Sequence, residues 1–360
     1  MKRILLILSF LTGAVLLSNY LIGADSINSE IYLLDVENPK IKRKFLPHIE
    51  SISDDSFFVC WEEGPEEINN NTIACRIYNK DFSSFKNVNF KKPKKELRYF
   101  PVDIIKIDTS VYLYFMEMDI RVYNRIGVSS LKRAQLVSSA DTLIIDNRPI
   151  WETTLGAGMH LLPFRNQYLL PIYEQFADKK QTPSLKVISL NKQGVNISAI
   201  STIKNPLNIN VFEPSIAVGR NDSAIMIIRS NEKKHLLYAT SSDGGLNWSP
   251  IKESNIKSPG SISRIFYTKE HFFIIHNNSQ NGSRNSLDIT VVTAEMDGDH
   301  RTFNLLSDSK DFFSNFSVYV EGNTVYIPYQ RLMRSGEHKP ALDRVEMIMF
   351  NIHDILRLNR

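Results

Sequence analysis

Three charged residues stand where a strand-rich sequence calls for apolar ones. Glu213 begins one expected strand, Arg229 ends the next sixteen residues later, and Arg284 follows a later strand in Asn281-Gly282-Ser283-Arg284-Asn285-Ser286-Leu287. Two guanidiniums converging on one pocket hold a carboxylate in a fixed, bidentate way. Glu213 would then orient or activate a neighbour. His48 and His160 occupy the same place in a recurring strand pattern. Either would serve as a general base near neutral pH, or as a satisfied structural histidine. Tyr173-Glu174 and Tyr329-Gln330-Arg331 close their strands with polar groups, as Arg229 does. That makes Tyr173, Glu174 and Arg331 candidates for substrate binding and Tyr329 a candidate nucleophile. The acidic run Trp61-Glu62-Glu63-Gly64-Pro65-Glu66-Glu67 offers Glu62, Glu66 and Glu67 as acid/base groups, or is a solvated turn.

These residues need a scaffold that brings distant strand ends together. One pattern recurs: an apolar strand, often entered through Pro, a polar turn, then a strand rich in aromatic and β-branched residues. Copies begin at Phe45, Phe100, Met159, Phe212, Pro259 and Phe316. They are spaced roughly 45 to 60 residues apart, the period of propeller blades. Each copy supplies two strands, and the residues up to the next supply two more. Residues 30–36 are expected to pair beside residues 345–351 and close the ring. Residues 80–95 read as a connection within or after the first blade. Helical periodicity is confined to the tail, residues 353–358.

The stretch Ser241-Ser242-Asp243-Gly244-Gly245-Leu246-Asn247-Trp248 lies between two such strands. Asp243 suits the turn's backbone amides, and the two glycines supply positive φ angles. The pattern Ser-x-Asp-x-Gly-x-x-Trp resembles the Asp-box of sialidase-like β-propellers, a structural device at a blade rim. The order of Glu213, Arg229 and Arg284 around that box is similar to the sialidase superfamily. The resemblance implies an all-β, six-bladed, sialidase-like β-propeller whose axial pocket faces a glycan. In that family three arginines hold the sialic acid carboxylate, a Tyr paired with a Glu is the nucleophile, and an Asp is the acid/base. Glu213 matches the family's Glu, and Arg229 and Arg284 its second and third arginines. The chain departs from the pattern elsewhere. Phe316, in Asn315-Phe316-Ser317, stands where the nucleophile is expected and carries no hydroxyl. Lys44-Phe45-Leu46-Pro47-His48 has no Arg in register, and the acid/base Asp has no clear match.

Composition bounds the rest. The chain has 360 residues, 42% of them hydrophobic, and a formal net charge of +4, which suits one large domain over residues 25–360. Lys91, Lys92, Lys94 and Lys95 lack interleaved aromatics, so no nucleic-acid partner is expected. Lys2 and Arg3 precede an apolar run, and Ile22-Gly23-Ala24 offers small residues for cleavage. Residues 1–24 thus read as an export signal or, alternatively, an uncleaved membrane tether. Cys60 and Cys75 fall in two runs of one hairpin, to be bridged or left as buried thiols. No metal spacing, phosphate-binding Gly loop or Ser-hydrolase elbow is present, so neither metal nor cofactor is expected. The chain reads as a secreted monomer acting on a sialoside or other acidic glycan as a glycoside hydrolase. A uronic-acid lyase, with His48 or His160 as base, and a non-catalytic glycan-binding propeller are the alternatives.

Overall fold

Every residue but the last of the strand Ala224–Arg229 is buried. Successive side chains of a strand point to opposite faces, so both faces need a cover. Met226 and Ile228 pack with Leu169, Leu185 and Val187 on one side. Ile225 and Ile227 pack with Ile265, Phe272 and Ile274 on the other. Those partners come from the sheets before and after. Each Ile so buried contributes about 1.5–3 kcal/mol. Sheets that are apolar on both faces satisfy one another by closing into a ring.

The computed structural model describes residues 27–35, 41, 43–64, 71–119, 129–153, 156–158, 160–174, 184–279, 282–293, 296–333 and 342–359. They form six antiparallel sheets. From the axis outward, the first blade is Arg43–Ser53, Ser56–Gly64, Thr72–Asn79 and Phe85–Val88. The second is Leu97–Ile107, Ser110–Asp119 and Ser129–Val137, with Thr142–Ile145 and Trp151–Thr153 sharing its outer edge. In the third, Gly156–Gly158 and Leu162–Phe164 share the inner place, before Gln167–Glu174, Ser184–Asn191 and Ile197–Ile203. The fourth is Phe212–Val218, Ala224–Arg229, His235–Ser241 and Lys252–Lys257. The fifth is Arg264–Thr268, His271–His276, Ser286–Val292 and Arg301–Ser307. The sixth has Phe312–Ser314 and Tyr319–Glu321 innermost, then Thr324–Met333 and Leu342–Asn351.

The strand Ser29–Leu33 completes the sixth blade, in register from Ser29 opposite Phe350 to Leu33 opposite Glu346. The first described strand therefore closes the ring on the last, as the sequence predicts. The tail is the helix Ile352–Leu358, capped by the Asn351 side chain on the His353 amide. Three expectations shift. The inner strands of blades three and six are each broken in two. The fifth inner strand starts at Arg264 rather than near Pro259, because Gly260 turns the chain at φ 70°. Residues 80–95 are not a bare connection, since Phe85–Val88 is the outer strand of blade one. Residues 1–24, expected to be an export signal or a membrane tether, and Met159 lie outside the described residues. Among the described residues no helix is long and apolar enough to cross a membrane.

The predicted turn before Trp248 pins blade four to blade three. Asp243 Oδ1 accepts from the amides of Asn247 and Leu246 at 2.9 and 3.1 Å and from Ser241 Oγ at 2.7 Å. Partial burial works against the carboxylate, but these donors outweigh it and hold its pKa at about 2. Gly244 and Gly245 take φ of 72° and 91°. A Cβ on Gly244 would also lie 2.3 Å from the Phe164 ring of blade three. Trp248 Nε1 closes the turn on Gly245 O at 2.8 Å.

Cys60 and Cys75 face each other across adjacent strands of blade one and are joined by a disulfide. A thiol titration of unfolded, unreduced protein should count none, and two after reduction. Two thiols without reductant would refute the bridge.

Candidate active site

All six sheets begin at the axis, so the starts of the inner strands share one end of the ring. Side chains there meet although they lie far apart in the chain. The backbone is irregular at this end. Bulges interrupt the pairing between Phe45 and His48, between Pro101 and Asp103, and between Phe212 and Ser215. Leu46, Glu213 and Asn315 sit at φ of 48°, 47° and 48°. A bulge re-aims the side chains after it, and left-handed backbone at non-glycine residues stores strain. Pro47 and Pro214 follow two of these residues, where no ladder N–H is needed.

Asp103 is the centre of the first cluster. Its Oδ1 accepts from the Ile104 amide and its Oδ2 from the Leu161 amide, each at 2.8 Å. His160 Nδ1 lies 2.6 Å from Oδ2, and His48 Nδ1 approaches Oδ1 at 3.5 Å. One carboxylate thereby joins blades one, two and three. Burial alone would raise the Asp103 pKa, but the two imidazoles overcome it and hold the group well below the usual range. Burial pushes His48 down, against the pull of Asp103. His48 is 2% exposed, whereas the His160 side chain is 24% exposed. With Nδ1 committed to Asp103, Nε2 is the remaining nitrogen of this partly exposed ring.

The second cluster is cationic. Arg229 Nη1 meets Glu213 Oε2 at 2.7 Å, and its Nε and Nη2 donate to Asn231 Oδ1. Gly260 abuts Asn231, and its carbonyl accepts from Arg284 Nη2 at 3.3 Å. Glu213, Arg229 and Arg284 thus lie along one continuous stretch between blades four and five. Arg264 links the two clusters. It starts the fifth inner strand, is 3% exposed, and feels the charges of both Glu213 and Asp103. Groups of blades two, four and five meet only on the axis, so the guanidinium points there. Its Nη1 reaches the Ser263 carbonyl at 3.3 Å. Among the described residues Nε and Nη2 have no hydrogen-bond partner. Burial lowers its pKa to about 10.

The other candidates are placed differently. Glu62 is fully buried and bound at both oxygens by Arg98, at 2.5 and 2.8 Å, with Asn71 on Oε1. That leaves it as a brace between blades one and two. Tyr329 is fully buried in the apolar core and donates to Glu346 at 2.8 Å, and burial drives its pKa well up. A sugar cannot reach that hydroxyl. Phe316 is fully buried in the same cluster. Arg331 is held by Asp311 and Asp308, and Glu174 by Lys186. Tyr173 stands nearer the axis, edge-on to Phe212 at 5.7 Å and against the cluster holding Leu46 and Phe316. Glu66 and Glu67 lie outside the described residues.

Asp103, Arg264 and Asn231 were not singled out from the sequence. The usable signal was a charged residue in an inner strand: His48 and Asp103 each follow a bulge within theirs, and Arg264 begins its own. Two clefts of about 520 and 550 Å³ run along the flank of blade one. Neither is lined by His48, Asp103, His160, Glu213, Arg229 or Arg264.

Residues 150–327 match the BNR repeat-like domain. No curated protein matches the chain significantly. Among solved structures, an intramolecular trans-sialidase from Ruminococcus gnavus, in complex with oseltamivir carboxylate, is 9% identical with a TM-score of 0.67. That alignment covers 88% of this chain and 96% of the other. An α-L-arabinofuranosidase from Fusarium graminearum, in complex with an iminosugar inhibitor, is 12% identical at a TM-score of 0.64, over 89% and 95%. A protein of unknown function from Dyadobacter fermentans is 9% identical at 0.68, over 89% and 99%. The repeats, the closed ring and these likenesses agree: the chain folds as a six-bladed β-propeller, with a BNR repeat-like domain over residues 150–327.

Proposed function

We propose that this propeller is an exported glycoside hydrolase acting on a carboxylate-bearing glycan. One observation carries the reading: the buried Arg264 guanidinium has two nitrogens, Nε and Nη2, without a hydrogen-bond partner among the described residues, beside the Glu213–Arg229 pair. A buried cation lacking hydrogen-bond partners is costly, and an anionic ligand would satisfy it. Arg264 and Arg229 would hold the carboxylate, Arg284 would flank it, and Glu213 would fix Arg229. The trans-sialidase and arabinofuranosidase likenesses support a glycan as the guest. The disulfide supports an oxidising compartment, and hence residues 1–24 as an export signal or tether. A monomer is the simplest state for a ring closed within one chain.

A second reading, a uronic-acid lyase, is favoured by the His160–Asp103 contact. An imidazole so placed can take a proton from the carbon next to a carboxylate. The two readings separate by product. Incubated with a panel of sialosides and uronic-acid polymers, a hydrolase releases saturated sugar, and a lyase releases an unsaturated product absorbing in the ultraviolet. Retention on the immobilised glycans without either product marks a binding propeller. Neither product nor retention on any acidic glycan would overturn the proposal.

A further inference from the structure

The geometry points to His160 as the acid–base residue of the axial site, with Asp103 and the buried His48 as its positioning residues. The inference rests on the reading of that site as glycan-cleaving. The observations are structural. Asp103 is fixed before any ligand arrives, because one backbone amide from its own blade and one from the next bind its two oxygens. A carboxylate offers about four acceptor sites. Two go to these amides, one to His160 Nδ1, and His48 faces the fourth. His160 therefore carries its Nδ1 proton toward Asp103, and Nε2 is the only nitrogen left for chemistry. Asp103 thereby fixes the tautomer and the orientation of the ring.

The charged groups around the pair are few. His48 and Arg264 face Asp103 from blades one and five, Glu50 faces it from blade one, and Glu213 lies beyond Arg264. The step balances without any further reactant. Nε2 gives its proton to the departing glycosidic oxygen as that carbon–oxygen bond breaks. The oxygen of a water bonds to the anomeric carbon, and its released proton returns to Nε2.

The test uses the full chain. Diethyl pyrocarbonate, mapped by mass spectrometry, should modify His160 and spare the buried His48. Saturating N-acetylneuraminic or glucuronic acid should lower His160 labelling by about tenfold. Equal labelling with and without both sugars overturns the placement. On whichever acidic glycan the wild type cleaves, His160→Gln should lower kcat by about 100-fold or more with little change in KM. Free imidazole should restore part of the activity of His160→Ala. Asp103→Asn should lower kcat and displace the pH–kcat profile, and an unmoved profile overturns its positioning role. Full activity in His160→Gln refutes the inference and leaves the glycosidase reading standing. Protection by the sugars without cleavage by the wild type refutes proton transfer and leaves a binding propeller.

Discussion

Arg264→Met should make the protein more stable and its glycan site ineffective. The two effects share one cause. Arg264 is almost wholly buried, with one long bond to a carbonyl and two guanidinium nitrogens unpartnered among the described residues. Its ordinary pKa of 12.5 falls to about 10 because burial penalises the charge. Replacing a poorly satisfied buried ion by an apolar side chain of similar length is neutral or stabilising, by about 1–4 kcal/mol. The same change removes a guanidinium that feels both Glu213 and Asp103. Charge-assisted hydrogen bonds contribute about 1.5–3 kcal/mol each. Losing one or two lowers kcat/KM, or affinity, for an acidic glycan by about 100-fold or more.

Thermal melts with and without the glycan, alongside turnover, check both halves. Wild-type protein should melt higher with glycan present, and Arg264→Met should melt higher without it and gain nothing from it. Arg264→Lys should fall between them, since an ammonium is a point charge without the planar fork. A methionine variant that melts lower and still turns over glycan would make Arg264 a structural group.

The contrast between Arg264 and Arg229 shows what a sequence can and cannot display. Arg229 ends a long apolar strand, Ala224–Arg229, so a charge there stands out against its period. Arg264 follows the polar run Ser261-Ile262-Ser263 and reads as the end of a loop. Only the turn at Gly260 makes it the first residue of an inner strand. The blades themselves were legible because each second strand must be apolar on both faces. The broken inner strands were not, because bulges and left-handed residues interrupt the alternation that marks a strand.

Pairing between blades was the other hidden layer. His48 and His160 share a repeat position, which flagged them. Asp103 became their common partner only when three blades met. Glu62 looked like an acid among acids, and the Arg98 that binds it lies in the next blade. Tyr329 and Gln330 differ by one residue, and that parity sends the tyrosine into the core. Gln330 turns instead to Ser314 Oγ at 3.1 Å and Asp343 Oδ2 at 2.8 Å.

Glu50→Gln should abolish a loss of stability that the wild type shows as pH rises through neutrality. Glu50 lies two residues beyond His48 on the same strand, so both share one face, and both interact with Asp103. Burial is the main force on its carboxyl, and the negative charges of Asp103 and Glu321 add to it. The Ser51 amide and Lys106 oppose them without prevailing. The pKa rises from 4.5 to about 8. A raised carboxyl pKa means the folded protein binds a proton that the unfolded chain releases. Between 4.5 and about 8 the folded state holds more protons, so stability falls with rising pH across that window. It is fully present below 4.5 and gone above about 8. Each unit corresponds to about 1.4 kcal/mol, which makes the loss on the order of a few kcal/mol. Glutamine keeps the shape and hydrogen-bonding reach of the protonated acid but has no proton to lose. Urea unfolding at a series of pH values should therefore show the two proteins converging in acid and separating toward pH 8, with Glu50→Gln the more stable. Subtracting the curves removes the parallel contribution of Asp343, whose carboxyl is also raised, to about 6. Curves that stay parallel throughout would mean that the Glu50 carboxylate reaches water. A second negative charge beside Asp103 would then cost the fold nothing.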